Sequence, residues 1–63
     1  MKVTTIATKE IRAKEGKRYL TLTFDSEGTC IDFDSNLPYM KSSEDWEFYA
    51  KATLRILKEL RKE

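Results

Sequence analysis

Apolar and polar residues alternate with a period of two over the first half of the chain and with a helical period over its last third. Val3 to Ala13 is rich in Val, Ile and Thr. Tyr19 to Phe24 sets Leu20, Leu22 and Phe24 on one face and Tyr19, Thr21 and Thr23 on the other. Thr29 to Asp34 sets Ile31 and Phe33 against Cys30, Asp32 and Asp34. β-branched and aromatic residues in this alternation predict three strands. Lys14-Glu15-Gly16 and Ser26-Glu27-Gly28 each place Gly third, which suits a type I turn closed by a left-handed residue. A four-residue second loop, Asp25 to Gly28, pairs Phe24 with Thr29, Leu22 with Ile31 and Leu20 with Phe33, so that every large apolar side chain shares one face. The first strand is less regular. Val3, Ala7 and Ile11 share a parity that Lys9 interrupts and Ile6 opposes, which calls for a bulge.

Pro38 ends strand pairing, and Leu37, Tyr39 and Met40 are expected to tuck under the segment that follows. Ser42-Ser43-Glu44-Asp45 then opens a run free of Gly and Pro, with Ser42 as N-cap and Asp45 in the capping-box position. At about 100° per residue, Trp46, Tyr49, Ala50, Thr53, Leu57 and Leu60 form a central stripe. Ala52 and Ile56 flank it on one side and Leu54 on the other, and Phe48 falls outside the arc. Glu47–Lys51 and Arg55–Glu59 are spaced for i,i+4 ion pairs. The fold class expected is α+β: a three-stranded antiparallel β-meander packed on one face by a single C-terminal α-helix, all in one domain over residues 1–63.

Length sharpens this picture. A chain of 63 residues buries only about 60% of its unfolded surface and is marginal unless something staples it. Cys30 alone forms no internal disulfide, and the chain has no His, so no common zinc site is expected either. Self-association is the remaining staple. An apolar arc of roughly 180°, against the roughly 100° that one sheet contact requires, points the same way. The side chains left over at its margins are Phe48, Leu54 and Ile56, with Ile6 beside them, and they form the expected partner interface, a homodimer included. No apolar run approaches the roughly 20 residues that span a bilayer, so no membrane partner is expected. Met1-Lys2-Val3-Thr4-Thr5 lacks an apolar leader core, so the expected compartment is the cytoplasm.

Charge is segregated beneath a net value of +1. Arg12, Lys14, Lys17 and Arg18 make the first hairpin basic, and Tyr19 adjoins them. Asp25, Glu27, Asp32 and Asp34 form an acidic recognition patch. Basic and aromatic residues on an open sheet face suit nucleic acid. In element order, a three-stranded sheet with one helix behind it resembles the arm-type N-terminal domains of phage and transposon integrases, and that resemblance implies DNA contact by the outer sheet face and first hairpin. The acids at Asp32 and Asp34 oppose it, because they would face the phosphates. Clustered carboxylates also suit a small phage- or mobile-element-type regulator or inhibitor that occupies a basic groove.

Enzymatic chemistry is not expected. With no His, nothing activates Cys30 or a serine as nucleophile. Asp32 and Asp34 are two apart on one strand face, a spacing open to acid–base work, yet a three-stranded sheet with one helix has no deep cleft to tune them. Asp32-Phe33-Asp34-Ser35-Asn36 begins like a calcium loop but continues with Leu37 where Gly belongs and reaches Ser43 where a bidentate Glu belongs. No catalytic residue, cofactor, metal or small-molecule substrate is therefore expected. The expected function is a non-enzymatic binding domain that self-associates, with nucleic-acid binding as the alternative.

Overall fold

The computed structural model describes residues 1–36 and 42–62. It shows an antiparallel sheet of four strands, not three, packed against one C-terminal helix. The strands are β1 (Lys2–Ala7), β2 (Glu10–Glu15), β3 (Arg18–Phe24) and β4 (Cys30–Ser35), in the order β1-β2-β3-β4, and the helix α1 spans Ser43–Leu60. No helix among the described residues is long and apolar enough to cross a membrane. The expected packing of Leu37, Pro38, Tyr39 and Met40 lies outside the described residues.

The extra strand comes from the irregular first run. Val3 to Ala13 is two strands joined at Thr8-Lys9, with Lys9 in the left-handed region at φ 58°. Lysine there carries a steric cost of about 1–2 kcal/mol, which the closed hairpin on either side offsets. Neither Thr8 nor Lys9 is a residue that announces a turn. Length was the available signal, since an eleven-residue strand is about twice the usual strand length. Ile6 is the extra residue of a bulge, because Thr5 stands opposite Ile11 and Ala7 opposite Glu10. The second hairpin closes at Glu15 and Arg18 through Gly16-Lys17, with Gly16 at φ 61°. Gly in the first central position is the pattern of a two-residue II′ turn rather than the expected type I turn.

From Asp32 onward the third hairpin keeps its expected faces but not its expected register, whereas Cys30, expected on the outer face, stands opposite Phe24 on the helix side. Leu22 stands opposite Phe33 and Leu20 opposite Ser35, a shift of two residues. One residue comes from the loop. The Asp25 carboxylate accepts hydrogen bonds from the Glu27 and Thr29 N–H groups, each at 2.9 Å, and so holds an extra residue inside the loop. The other is Ile31, bulged between Cys30, which faces Phe24, and Asp32, which faces Thr23. A shift of two preserves parity, so Phe33 still points to the helix side. Asn36 ties off the end of β4, accepting from the Tyr19 N–H at 2.9 Å and donating to the Lys17 carbonyl.

The helix begins as its cap predicts. Ser42 Oγ accepts from the Asp45 N–H at 3.1 Å, and the Asp45 carboxylate returns to the Ser42 N–H. Its rotation is another matter. The residues it buries are Phe48, Ala52 and Ile56, joined in one core with Ile11, Ala13, Leu20 and Phe24. The buried stripe is thus displaced by roughly 100° from the expected one centred between Tyr49 and Leu57. Phe48 (5% exposed) and Ile56 (0%) are core, not the partner interface assigned to them above. The physical reason is burial: this rotation hides Phe48 and Ile56, worth about 1.5–3 kcal/mol each. Arg18 projects from the helix side of β3, and its Nε donates to Asp45 Oδ1 at 2.8 Å while its Nη2 stands 3.6 Å from Glu44. That solvent-accessible anchor contributes less and fits the same rotation, because Asp45 shares the face of Phe48, Ala52 and Ile56. Of the two i,i+4 ion pairs expected, Glu47–Lys51 forms at 3.0 Å, whereas Glu59 pairs with Lys62 at 3.6 Å instead of Arg55.

Candidate functional site

A helix is about 10 Å across and neighbouring strands are about 4.8 Å apart, so one helix covers two or three strands. Here it packs on β2, β3 and β1 and, among the described residues, makes no contact with β4. The consequence falls on residues expected in the core. Phe33 is 72% exposed and Ile31 62% exposed. Trp46 is 54% exposed, and Tyr49 is exposed beside it. The two rings meet edge to face, with centroids 6.2 Å apart and planes at 74°. Such a pair adds about 0.5–1.5 kcal/mol to the burial of its rings and holds both in one orientation.

Arg55, Lys58, Glu59 and Lys62 share a shallow depression with Val3 of β1, so the charged flank of α1 overhangs the β1 edge. On a helical wheel the opposite flank carries Trp46, Tyr49, Thr53 and Leu57, and it borders the β3–β4 side. Leu22 of β3 is half-buried against the core and stands across from Phe33. By that placement, exposed Trp46 and Tyr49 on the helix flank and Leu22 and exposed Phe33 on the helix side of the sheet border one open trough, across which α1 makes no close approach to β4.

The outer sheet face is polar and divided in charge. Thr4, Arg12, Thr21 and Asp34 form one row across all four strands. Arg12 is engaged at its centre, with Nε donating to Thr21 Oγ1 at 2.8 Å and the guanidinium 5.5 Å from the centre of the Tyr19 ring. Lys14 stands between Lys2 and Tyr19 on the same face. The nucleic-acid set is therefore split. Arg12, Lys14 and Tyr19 share the outer face and Lys17 occupies the turn, but Arg18 points to the opposite face and belongs to the Asp45 anchor. That hydrogen bond holds the Asp45 carboxyl below the usual carboxylate range and raises the Arg18 guanidinium.

The acidic set is split as well. Asp25 staples its own loop, Glu27 is at the loop tip, and Asp32 and Asp34 stand exposed on the outer face of β4 opposite Thr23 and Thr21. Neither Asp32 nor Asp34 forms an ion pair among the described residues. Cys30 is exposed at the start of the same strand, its Sγ 3.4 Å from the Asp32 carbonyl. Of the expected interface, Leu54 and Ile6 remain exposed, on the helix and on β1. The trough residues Phe33, Trp46 and Tyr49 were assigned to the core by periodicity alone. The signal that would have placed them is the strand count, since a fourth strand lies beyond the reach of one helix. No protein-family model, curated protein or solved structure matches this chain.

Proposed function

We propose that this chain is a non-enzymatic protein-interaction domain whose docking face is the helix side of β4 together with the Trp46–Tyr49 flank of α1. The observation that supports it is the exposure of three aromatic residues, Phe33 on the helix side of β4 and Trp46 and Tyr49 on the flank of α1. Exposed apolar groups gathered in one patch mark contact surfaces, and aromatic side chains supply most of the energy in such contacts. Self-association through this trough would set Phe33 of each copy against the aromatic flank of the other. It no longer draws on Phe48 or Ile56. Selection of randomised displayed peptides against the chain tests the reading. Enriched peptides should lose roughly tenfold or more in affinity toward Phe33→Ser or Trp46→Ser, the size of an anchor residue's contribution. Enrichment of nothing, or of peptides indifferent to both substitutions, sinks it. Both residues are exposed, so unchanged far-ultraviolet circular dichroism separates lost binding from lost folding.

The nucleic-acid alternative has less behind it. Arg18 faces away and is paired, Arg12 is engaged, and Asp32 and Asp34 occupy the face that would meet phosphates. A salt-dependent gel shift with mixed DNA or RNA, abolished by reversing Lys14 and Lys17, would revive it.

A further inference from the structure

Resting on that reading, we infer that the partner is an extended segment of another protein, alternating apolar and basic residues, which adds to β4 as a fifth strand. Three features of β4 converge on this occupant. β4 is a sheet edge, with β3 on one side and no strand among the described residues on the other. An edge carries backbone donors and acceptors at strand spacing, which an extended chain satisfies and a helix does not. The helix-side face beside that edge carries exposed Phe33 and opens toward the flank of α1 that bears Trp46 and Tyr49, so every second residue of an added strand would point to that apolar side. The outer face presents Asp32 and Asp34 with no cation paired to either among the described residues, so the alternate residues would meet carboxylates. Period two carries both requirements at once: apolar toward the trough, Lys or Arg toward the acids.

The opposite edge makes the contrast. β1 is overhung by the cationic flank of Arg55, Lys58 and Lys62, the kind of charge that keeps an edge from pairing. Edge-to-edge pairing of two β4 strands about Phe33 would set Asp32 against Asp34 on the same face, twice over, and like charges directly opposite repel. The chain's own β4 is thus a poor partner for itself, while a basic strand suits it.

The test is titration of the isotope-labelled full chain with three synthetic peptides of equal length. One alternates Val or Ile with Lys or Arg, one alternates the same apolar residues with Glu, and one rearranges the first into a helical period. The basic alternating peptide should bind on the order of tenfold tighter than the acidic one and weaken with added salt. It should perturb the backbone amides of β4 and the Trp46 indole, and slow alkylation of Cys30. Asp32→Lys together with Asp34→Lys should invert the ranking of the two alternating peptides. Equal binding of all three, or perturbation confined to Arg12 and Lys14, overturns the inference. So does concentration-dependent assembly of the chain alone that Phe33→Ser abolishes, because a second copy then occupies the trough. Phe33-dependent binders of some other pattern in the peptide selection would defeat this inference and leave the interaction reading standing. The absence of any such binder defeats both.

Discussion

Phe48 and Leu54 look alike in the sequence, two large apolar residues at the margin of a helical stripe, and the tertiary structure separates them. Phe48 is buried in the core, and Leu54 is 67% exposed. Phe48→Ala should cost about 3–5 kcal/mol, since it removes a buried ring and leaves a cavity. Total stability for a chain of 63 residues is on the order of 3–9 kcal/mol, so this variant should lose roughly a third or more of it. Leu54→Ala should fall within about 0.5 kcal/mol of the parent. Urea unfolding of both settles the rotation of α1: similar costs would contradict it. Lys9 is a second case. Its left-handed φ predicts that Lys9→Gly stabilises by about 0.5–1 kcal/mol, whereas a destabilisation would show that the turn is built otherwise.

At the scale of elements, α1 is the most legible part of the chain. Its start was written in Ser42 and Asp45, and both halves of the capping box form. Ser42→Ala should cost about 1 kcal/mol, read from the unfolding midpoint. Asp45 has two roles, cap and partner of Arg18, and its folded carboxyl lies below its ordinary value of 3.8. A depressed carboxyl contributes stability that is present above the unfolded value and is lost as pH falls through the folded one. The parent should therefore lose stability on acidification below about pH 4, and Asp45→Asn should be weaker at neutral pH with a flatter profile. Parallel profiles for the two would remove the Arg18–Asp45 pair as the anchor. The strands were less legible because their joints were. Thr8-Lys9 turns without a turn residue; the bulge at Ile6 is legible in the broken parity of the first run, but the one at Ile31 moves register without a trace in the alternation.

For the molecule as a whole, the fourth strand accounts for most of the difference between the periodic pattern and the fold. Three strands fit beneath one helix, but a fourth leaves an edge whose apolar face is covered by nothing among the described residues. Local stability should follow that layout. Amides of β2 and β3, which carry Ile11, Ala13 and Leu20, should exchange most slowly with solvent, and those of β4 much faster. Protection of β4 equal to that of β2 would mean that its face is covered in solution. The basic alternating peptide should raise β4 protection selectively, which ties the exchange measurement to the proposed docking.

The periods, the cap and the side of the sheet on which Leu20, Leu22 and Phe24 lie were determined by the sequence, because each depends on residues a few positions apart. The core assignment of Phe33, Trp46 and Tyr49 was not. Whether an apolar side chain is buried depends on what stands over it, and that was decided by the Lys9 turn, the two bulges and the Arg18–Asp45 contact acting together. The Arg18–Asp45 contact joins residues 27 positions apart in the chain, and no local pattern encodes it.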